Sequence, residues 1–360
     1  MKLRRRIPFA VIAVTTTIIF STCCSVFALG PLGAPVRPWN SQRPAGGTAP
    51  ATVVYMYDEQ WSGSALSASI TGYSTADGSV VSELDLPLAT YYYGPFTTDA
   101  TGHIYVATPA NQVLVYAPGA TGAATPERTI QLQISNNIVV TNLAVDPMGY
   151  LYVVMRTAGA NGGYAINVYS PTANSFASPV RTLQLENILI PLNDIAADAQ
   201  GNIYLAACWS SKSTWGWVVA IYPPKASGPS VPRRMIQFDH NTWANGVAVD
   251  ARGHIFVSVD QDVRYYPTLA IEEFDSNLRG PARPIKTIDL PAVANIWGFG
   301  GPVRLDGAGN ILTAAMQQEL SSSKSLVVFG YPPTATGDAT PAYVLNGAWN
   351  VNSQIVFGLN

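Results

Sequence analysis

Few side chains in this sequence have the types and spacing that catalysis requires. Of the three histidines, His240 lies in the polar segment Asp239-His240-Asn241 and is the one candidate general base. No serine nucleophile is placed beside it, because the serine runs at 210–211 and 321–323 are typical of loops. There is no phosphate-binding loop and no zinc-ligand spacing. These features favour a non-catalytic protein over an enzyme.

Aromatic residues are the second group that could act on a ligand. Six of the eight tryptophans lie in or beside segments between predicted strands. Aromatic rings on rigid loops supply a large contact area at low entropic cost and stack on sugar rings or peptides. The same rings could instead fill the wide end of a channel and pack neighbouring units together. The candidate binding residues are Trp61, Tyr92, Trp209, Trp243 and Trp297, together with His240.

A repeat positions these residues. The pattern Asp-x-x-Gly followed by an apolar strand occurs five times, at steps of 47, 52, 52 and 56 residues. The Asp side chain can accept backbone N–H bonds two residues on and the Gly supplies a positive φ, so each pattern predicts a hairpin turn. Units of this length bury their apolar faces against their neighbours. The turns are at Asp99/Gly102, Asp146/Gly149, Asp198/Gly201, Asp250/Gly253 and Asp306/Gly309.

Each repeat contains four predicted strands. The strand after the turn is a continuous β-branched and aromatic run, as at 203–206. The third strand ends in an aromatic residue. The fourth opens after a proline and alternates, as at 128–132, which is typical of an exposed edge. Four antiparallel strands, apolar inside and polar outside, predict the blade of a β-propeller, so the predicted fold is all-β.

The ends of the chain set the number of blades. Residues 51–90 supply strands two to four of a further blade but no first strand. The apolar segment 354–357 at the C-terminus has no other assigned partner. We expect this segment to complete the N-terminal blade, which closes a ring of six blades without a free edge.

The strand-turn-strand motif resembles the NHL repeat, a six-bladed propeller unit. Residues 193–206 and 246–258 match it best, and the resemblance covers residues 51–360. The repeats here are longer, and the first blade has only a weak motif. The kelch propeller has a similar period, but its paired glycines and spaced Tyr and Trp are not found. NHL-like propellers include ligand-binding and scaffolding proteins as well as enzymes, so the resemblance implies a fold rather than a reaction.

The chain also distantly resembles lactonase- and gluconolactonase-like propellers, which hold a divalent cation in the channel with Glu, Asn, Asn and Asp ligands. Asn193 and Asn245 resemble the two asparagines of that family, and Asn142 is expected in the same register one blade earlier. The two carboxylate positions correspond to segments with Gly94 and Gly300. Hard cations prefer charged oxygen ligands, so we expect no metal and no cofactor. The alternative is a degenerate metal-dependent hydrolase that uses these asparagines; otherwise they cap turns or bond to the neighbouring blade.

The N-terminus predicts export. Residues 1–28 have a basic start, an apolar run of 14 residues and a small-residue ending, which is typical of a secretory signal cleaved after Ala28. The apolar run is short for a membrane span. Residues 29–50 form a proline- and glycine-rich leader that we expect to be flexible or extended. Lipid attachment at Cys23 or Cys24 is disfavoured by a poor lipobox.

The predicted mature chain is mildly acidic. It carries 16 Lys and Arg against 22 Asp and Glu, a formal net charge of −6, which argues against nucleic-acid binding. Cys208 is the one cysteine left, which excludes an internal disulfide. We therefore expect a secreted, periplasmic or cell-envelope propeller that binds a protein, a peptide or a glycan without catalysis.

Overall fold

The computed structural model describes residues 40–42, 53–62, 65–87, 95–135, 137–157, 162–210, 215–261, 268–291, 300–318, 324–347 and 355–357. All of them belong to one compact unit, Ala34–Asn360. They form 27 β-strands and contain no helix. Within this described part, no helix therefore has the length and apolarity needed to cross a membrane.

The strands follow one another without interruption by other elements. The first nine are β1 (Asn40–Gln42), β2 (Val53–Ser62), β3 (Ala65–Ser74), β4 (Val80–Asp85), β5 (Phe96–Thr98), β6 (Ile104–Thr108), β7 (Gln112–Tyr116), β8 (Arg128–Gln131) and β9 (Ile138–Val145). The next nine are β10 (Leu151–Thr157), β11 (Tyr164–Tyr169), β12 (Arg181–Leu185), β13 (Ile188–Ala197), β14 (Ile203–Ser210), β15 (Trp215–Tyr222), β16 (Gly228–Ser230), β17 (Arg234–Gln237) and β18 (Thr242–Val249). The last nine are β19 (Ile255–Gln261), β20 (Thr268–Phe274), β21 (Gly280–Pro281), β22 (Lys286–Asp289), β23 (Gly300–Leu305), β24 (Ile311–Gln318), β25 (Lys324–Tyr331), β26 (Tyr343–Gly347) and β27 (Ile355–Phe357).

These strands form six antiparallel blades of a β-propeller. From the inner to the outer strand, blade 1 is β27-β2-β3-β4, blade 2 is β5-β6-β7-β8 and blade 3 is β9-β10-β11-β12. Blade 4 is β13-β14-β15-β17, blade 5 is β18-β19-β20-β22 and blade 6 is β23-β24-β25-β26. The predicted all-β fold with six four-stranded blades is confirmed.

The C-terminal strand closes the ring. β27 pairs antiparallel with β2, so that Phe357 lies opposite Val54 and Ile355 opposite Met56. β27 also contacts β5 and β23, the inner strands of the two neighbouring blades. The expected closure of the first blade by the end of the chain is confirmed.

The Asp-x-x-Gly turns have one geometry in five blades. In each turn the aspartate Oδ1 accepts bonds from the backbone N–H groups two and four residues on, at 2.8–3.0 Å. The glycine φ angles lie between +80° and +89°, a region that favours glycine. The side chains of Asn202 and Asn310 also bond their turn aspartates, at 2.7 Å. His103 and His254 occupy the same turn position, and their backbone N–H groups donate to the turn aspartates.

The hydrophobic core lies between the blades. Six clusters of buried residues each join two adjacent blades, including one between blades 6 and 1 that contains Val54, Met56 and Leu345. The second strands, such as β6 and β14, are buried along most of their length, whereas the outer strand β4 alternates between buried and exposed positions. Burial of this kind is the main source of stability in a ring of repeats.

Loops between the third and fourth strands tie each blade to the preceding one. We call the segments 117–127, 170–180, 223–233, 275–285 and 332–342 the clasp loops. Each pairs in parallel with the outer strand of the preceding blade. The pairs are Gly122 with Leu84, Ser175 with Ile130, β16 with β12, β21 with β17, and Gly337 with Ile288.

A basic residue on the outer strand secures each of four clasp loops. Arg128 Nη1 donates to the carbonyl oxygens of Pro171 and Ala173 at 2.8 and 3.0 Å. Arg181 donates to the Ala226 carbonyl at 3.2 Å. Arg234 donates in the same way to the carbonyl oxygens of Ser276 and Leu278, and Lys286 donates to that of Pro333.

The N-terminal strand replaces the sixth clasp loop. Blade 1 has a tight hairpin at 75–79 instead of a clasp loop, so nothing from blade 1 reaches the outer strand of blade 6 in this way. β1 pairs antiparallel with β26 there, with Ser41 opposite Leu345. Three residues of the predicted leader, 40–42, thus form part of a blade edge.

Candidate functional site

Asparagines of the inner strands join neighbouring blades around the channel. Asn142 Nδ2 donates to the Asn193 carbonyl oxygen at 3.1 Å, and Asn193 Nδ2 donates to the Ala244 carbonyl oxygen at 2.9 Å. These bonds link blades 3, 4 and 5. Between blades 5 and 6 the corresponding link comes from Ser258, whose Oγ donates to the Gly301 carbonyl oxygen at 2.6 Å. Asn193 thus bonds to the neighbouring blade, the alternative given above to a role in metal binding, and Asn142 makes a similar bond.

The expected register of Asn142 is wrong by one residue. Asn142 pairs with Val154, which lies eight residues after the turn aspartate Asp146. In blade 4 the residue eight after the turn aspartate Asp198 is Ala206, and it pairs with Asp194. Asn142 is therefore equivalent to Asp194 rather than to Asn193. The count to the turn aspartate shows the difference, because Asn142 lies four residues before Asp146 whereas Asn193 lies five before Asp198, at the β-bulge of its strand.

The carboxylate of Asp194, in blade 4, forms an ion pair with Arg304, in blade 6. Arg304 Nη1 donates to Asp194 Oδ2 at 2.6 Å, and Arg304 Nη2 donates to Asp194 Oδ1 at 2.9 Å. The backbone N–H of Val247, in blade 5, also donates to Asp194 Oδ2 at 2.9 Å. Burial alone would lower the pKa of the Arg304 guanidinium, but the charge and hydrogen bonds of Asp194 outweigh it and raise the pKa. This contact joins three blades.

The inner strands offer a poor oxygen donor set for a dication. The Asp194 carboxylate faces a guanidinium, and Gly300 lies opposite Ala315 where a carboxylate ligand was sought. Asn142 Oδ1 is buried without a hydrogen-bond partner among the described residues, which is one neutral oxygen. Asn245 is not engaged like the other two, since its Nδ2 has no such partner within the described part of the chain. No group of three His, Cys, Asp or Glu within the described ranges is placed to hold a metal.

Two tryptophans stack between blades 4 and 5. The rings of Trp217 and Trp243 have centroids 5.6 Å apart and planes at 28°. Trp217 is buried, and Trp243 is partly buried against the core cluster of these two blades. Trp243 lies at the start of β18, opposite Asp260. Of the two interpretations of the aromatic residues, packing of blade against blade describes the Trp217–Trp243 pair.

A second aromatic contact at the same boundary is open to solvent. Trp215 starts β15 and is 56% exposed. Its ring meets the ring of His240 edge to face, with centroids 5.6 Å apart and planes at 65°. His240 is exposed in the loop between β17 and β18. Within the described residues no side chain hydrogen-bonds to its imidazole, so nothing there orients it as a general base.

The other predicted binding residues are not brought to this boundary. Trp209 is half-buried and packs against the core between blades 3 and 4. Trp61 lies on β2 opposite Leu66, in blade 1. Tyr92 and Trp297 lie outside the described residues. The structure thus groups Trp243 and His240 with Trp215 and Trp217, of which only the first two were singled out as binding candidates.

A buried glutamate at the same boundary was missed by the sequence analysis. Glu272 lies on β20, on the strand face that also carries Ala270 and Phe274 of the core between blades 4 and 5. It is 8% exposed. Burial, and then the nearby charge of Asp239, raise the pKa of the Glu272 carboxyl to about 7. The adjacent pair Glu272-Glu273 in a third strand was the available signal.

Comparison with known proteins gives this chain neither a family nor an activity. No protein-family model and no curated protein sequence matches this chain. Among solved structures, it is similar to U3-55K, with a TM-score of 0.45 and 10% identity over 86% of this chain and 98% of that chain. It is also similar to regucalcin, a calcium-binding protein from Agrobacterium tumefaciens strain C58, with a TM-score of 0.43 and 10% identity over 83% of this chain and 91% of that chain. At these values neither similarity bears on what this chain binds.

Proposed function

We propose that this chain is an exported, non-catalytic binding propeller that presents aromatic side chains at the boundary of blades 4 and 5. The observation that carries the proposal is the exposed Trp215 ring against the exposed His240 ring, next to the stacked Trp217–Trp243 pair. An exposed ring supported by packed rings stacks on a sugar ring or grips a peptide at low entropic cost. Export rests on the signal-like residues 1–28, and the NHL assignment stays a prediction.

The test is a titration of the propeller with a panel of glycans and a panel of peptides, in which binding is measured by the change in tryptophan fluorescence. Trp215→Ala should weaken binding by about 1–3 kcal/mol, as for anchor residues generally, and leave the melting temperature nearly unchanged. Phe176 is a matched control, because it is 75% exposed on a clasp loop away from this boundary. Phe176→Ala should leave binding unchanged. Equal losses for both variants would reject a site at Trp215.

Trp243→Ala separates packing from binding. Because Trp243 stacks on the buried Trp217, this substitution should cost about 2–4 kcal/mol of folding stability. A melting temperature close to that of the wild type would show that the Trp243 ring is a free platform instead.

The alternative, a degenerate metal-dependent hydrolase, has one observation in its favour, the buried Oδ1 of Asn142. The Arg304 guanidinium opposes it, since it places a positive charge on the carboxylate that a dication would need. We expect no stoichiometric Ca²⁺ binding by calorimetry and no lactone hydrolysis above background. Micromolar Ca²⁺ binding that is lost in Asn193→Ala or Asn245→Ala would favour the hydrolase.

A further inference from the structure

A cavity of about 280 Å³ lies on the opposite face of the propeller, between blades 4 and 5. It is flanked by the Asp-x-x-Gly turn of blade 4 and by the clasp loop of blade 5. Three of its lining residues are arginines: Arg233 and Arg234 from the start of the outer strand of blade 4, and Arg279 from the clasp loop 275–285. Three guanidinium groups at one small cavity are an excess of positive charge in a chain that is acidic as a whole.

Little in the described structure neutralises this charge. Asp198 is the one carboxylate that lines the cavity, and it already accepts bonds from the Gln200 and Asn202 N–H groups, the Asn202 amide and the Tyr204 hydroxyl. Among the described residues, no carboxylate lies within ion-pair distance of any of the three arginines. Asp275 is near Arg234, but its Oδ1 caps the Asn277 N–H at 2.7 Å.

Burial and neighbouring positive charges make the protonated state of Arg234 less favourable than in water. Burial is the main cause that lowers the pKa of the Arg234 guanidinium; Tyr204 opposes it, the positive charges of Arg279 and Arg233 lower the pKa further, and Asp275 has a smaller opposing effect. Its Nη1 donates to the clasp carbonyls of Ser276 and Leu278. In Arg128 and Arg181 the other nitrogen, Nη2, donates to a tyrosine hydroxyl. No such bond from Arg234 is found within the described residues.

The other clasp loops show that two of the three arginines are not needed for the fold. Each clasp loop has its equivalent of Gly280 at a positive φ, which aligns the five loops. The residues equivalent to Arg233 are Glu127, Val180, Ile285 and Ala342, and those equivalent to Arg279 are Thr121, Asn174, Ser227 and Thr336. Every equivalent is neutral or acidic. The position of Arg234 is different, because four blades carry a basic residue there that binds a clasp loop. Arg233 and Arg279 therefore occur only at this boundary among the five clasp loops.

We propose that this cavity binds a small, doubly charged oxyanion, either a free phosphate or sulfate ion or the phosphate group of a monoester. Guanidinium groups present planar pairs of donors that match such oxygens in two-point hydrogen bonds. Three arginines against one carboxylate suit a doubly charged group. The cavity volume accommodates that group together with a small organic part. This site is on the face opposite Trp215, and it does not depend on the proposed aromatic site.

Calorimetry on the full propeller tests the proposal. The probes are inorganic phosphate, inorganic sulfate and glucose 6-phosphate, each compared with chloride at equal ionic strength. We expect dissociation constants at or below about 1 mM for at least one of the oxyanions and none for chloride. Preference for glucose 6-phosphate over inorganic phosphate would identify an ester as the ligand, and the reverse would identify the free ion; both outcomes support an oxyanion site.

The variants copy residues found at the other clasps. Arg233→Val and Arg279→Ser introduce the residues of Val180 and Ser227, so the free protein should keep its melting temperature. Each should weaken oxyanion binding about tenfold or more. Arg283→Ala is the control, because Arg283 is exposed on the same clasp loop but does not line the cavity. The proposal is overturned by no binding at about 10 mM oxyanion, by equal binding of chloride, or by equal losses in Arg283→Ala.

Discussion

Asp194 and Arg304 form a two-point ion pair that spans a blade. Asp194 lies on the inner strand of blade 4 and Arg304 on that of blade 6, and the blade 5 backbone at Val247 donates a further bond to the same carboxylate. The Asp194 side chain is 7% exposed and that of Arg304 is 20% exposed. In a repeat architecture each unit packs against its immediate neighbours, so this pair couples two blades that the architecture keeps apart.

Arg304→Ala should destabilise the propeller strongly. It leaves the Asp194 carboxylate buried without its counter-ion, and removal of one member of such a pair typically costs about 3–5 kcal/mol. Since Arg304 is partly exposed, we expect the lower end of that range. Chemical denaturation, with the free energy of unfolding extrapolated to water, measures the change.

A double variant provides the control for that experiment. Blade 3 carries Asn142 at the position of Asp194, and blade 5, two blades on, carries Ala248 at the position of Arg304. The double variant Asp194→Asn with Arg304→Ala copies this arrangement and removes the uncompensated charge. It should be more stable than Arg304→Ala alone. If it is less stable, the single variant acts through lost packing of the arginine stem and not through charge.

Gly246→Ala should destabilise the boundary of blades 5 and 6. A Cβ atom at Gly246 would lie 2.5 Å from the Val303 nitrogen and 2.8 Å from the Pro302 Cα, both of which are backbone atoms. The backbone must shift to accept it, so we expect a loss of about 2 kcal/mol or more. Gly307→Ala, where nothing lies within 4 Å of the added Cβ, should be neutral or stabilising by up to about 1 kcal/mol. Thermal unfolding of the two variants compares them directly, and equal shifts would contradict the close approach at Gly246.

The repeated turns and strands were predictable because their chemistry is local. An aspartate and a glycine at fixed spacing specify a turn wherever they occur, so the turns at Asp146 and Asp306 follow from four residues each. The closure by β27 was predictable for a related reason, since one blade lacked a strand and one strand lacked a blade. Such inferences need no knowledge of which side chains meet across the ring.

The contacts between distant residues could not be predicted in this way. Arg304 stands where blades 3, 4 and 5 have Ala144, Ala196 and Ala248, so its position is unusual in the sequence, but its partner is 110 residues away. The segment 40–42 carries no strand pattern, and its pairing with β26 reflects the missing clasp loop of blade 1. The arginines of the proposed oxyanion site come from two blades and meet only because the clasp loop crosses between them.

Two truncations should show that the C-terminal strand contributes more to the stability of the ring than the N-terminal strand does. Deletion of 351–360 removes β27 and leaves β2 as an unpaired inner edge, so we expect aggregation or loss of cooperative unfolding. Deletion of 29–50 removes only β1 from the outer edge of blade 6, so we expect a folded protein destabilised by about 1–3 kcal/mol. Size-exclusion chromatography and calorimetric melting measure both. An unchanged melting transition after the C-terminal deletion would show that the ring does not depend on β27.

The raised pKa of Glu272 should make stability depend on pH. The folded state holds the carboxyl proton up to about pH 7, whereas an unfolded glutamate releases it near its ordinary pKa of 4.5. The folded state therefore binds more protons in that window. Stability from this group is fully present below pH 4.5 and is lost as the pH rises through about 7, by about 3 kcal/mol in all.

Glu272→Gln isolates this effect from the other titrating groups, because glutamine is neutral at every pH. The difference in unfolding free energy between this variant and the wild type should be small at pH 4 and should favour the variant by up to about 3 kcal/mol at pH 8. Since the charge of Asp239 contributes to the raised pKa, Asp239→Asn should move the midpoint of the wild-type profile to lower pH. Denaturation curves at matched ionic strength from pH 4 to 8 provide the measurement. A constant difference between Glu272→Gln and the wild type across this range would show that folding does not raise the pKa of Glu272.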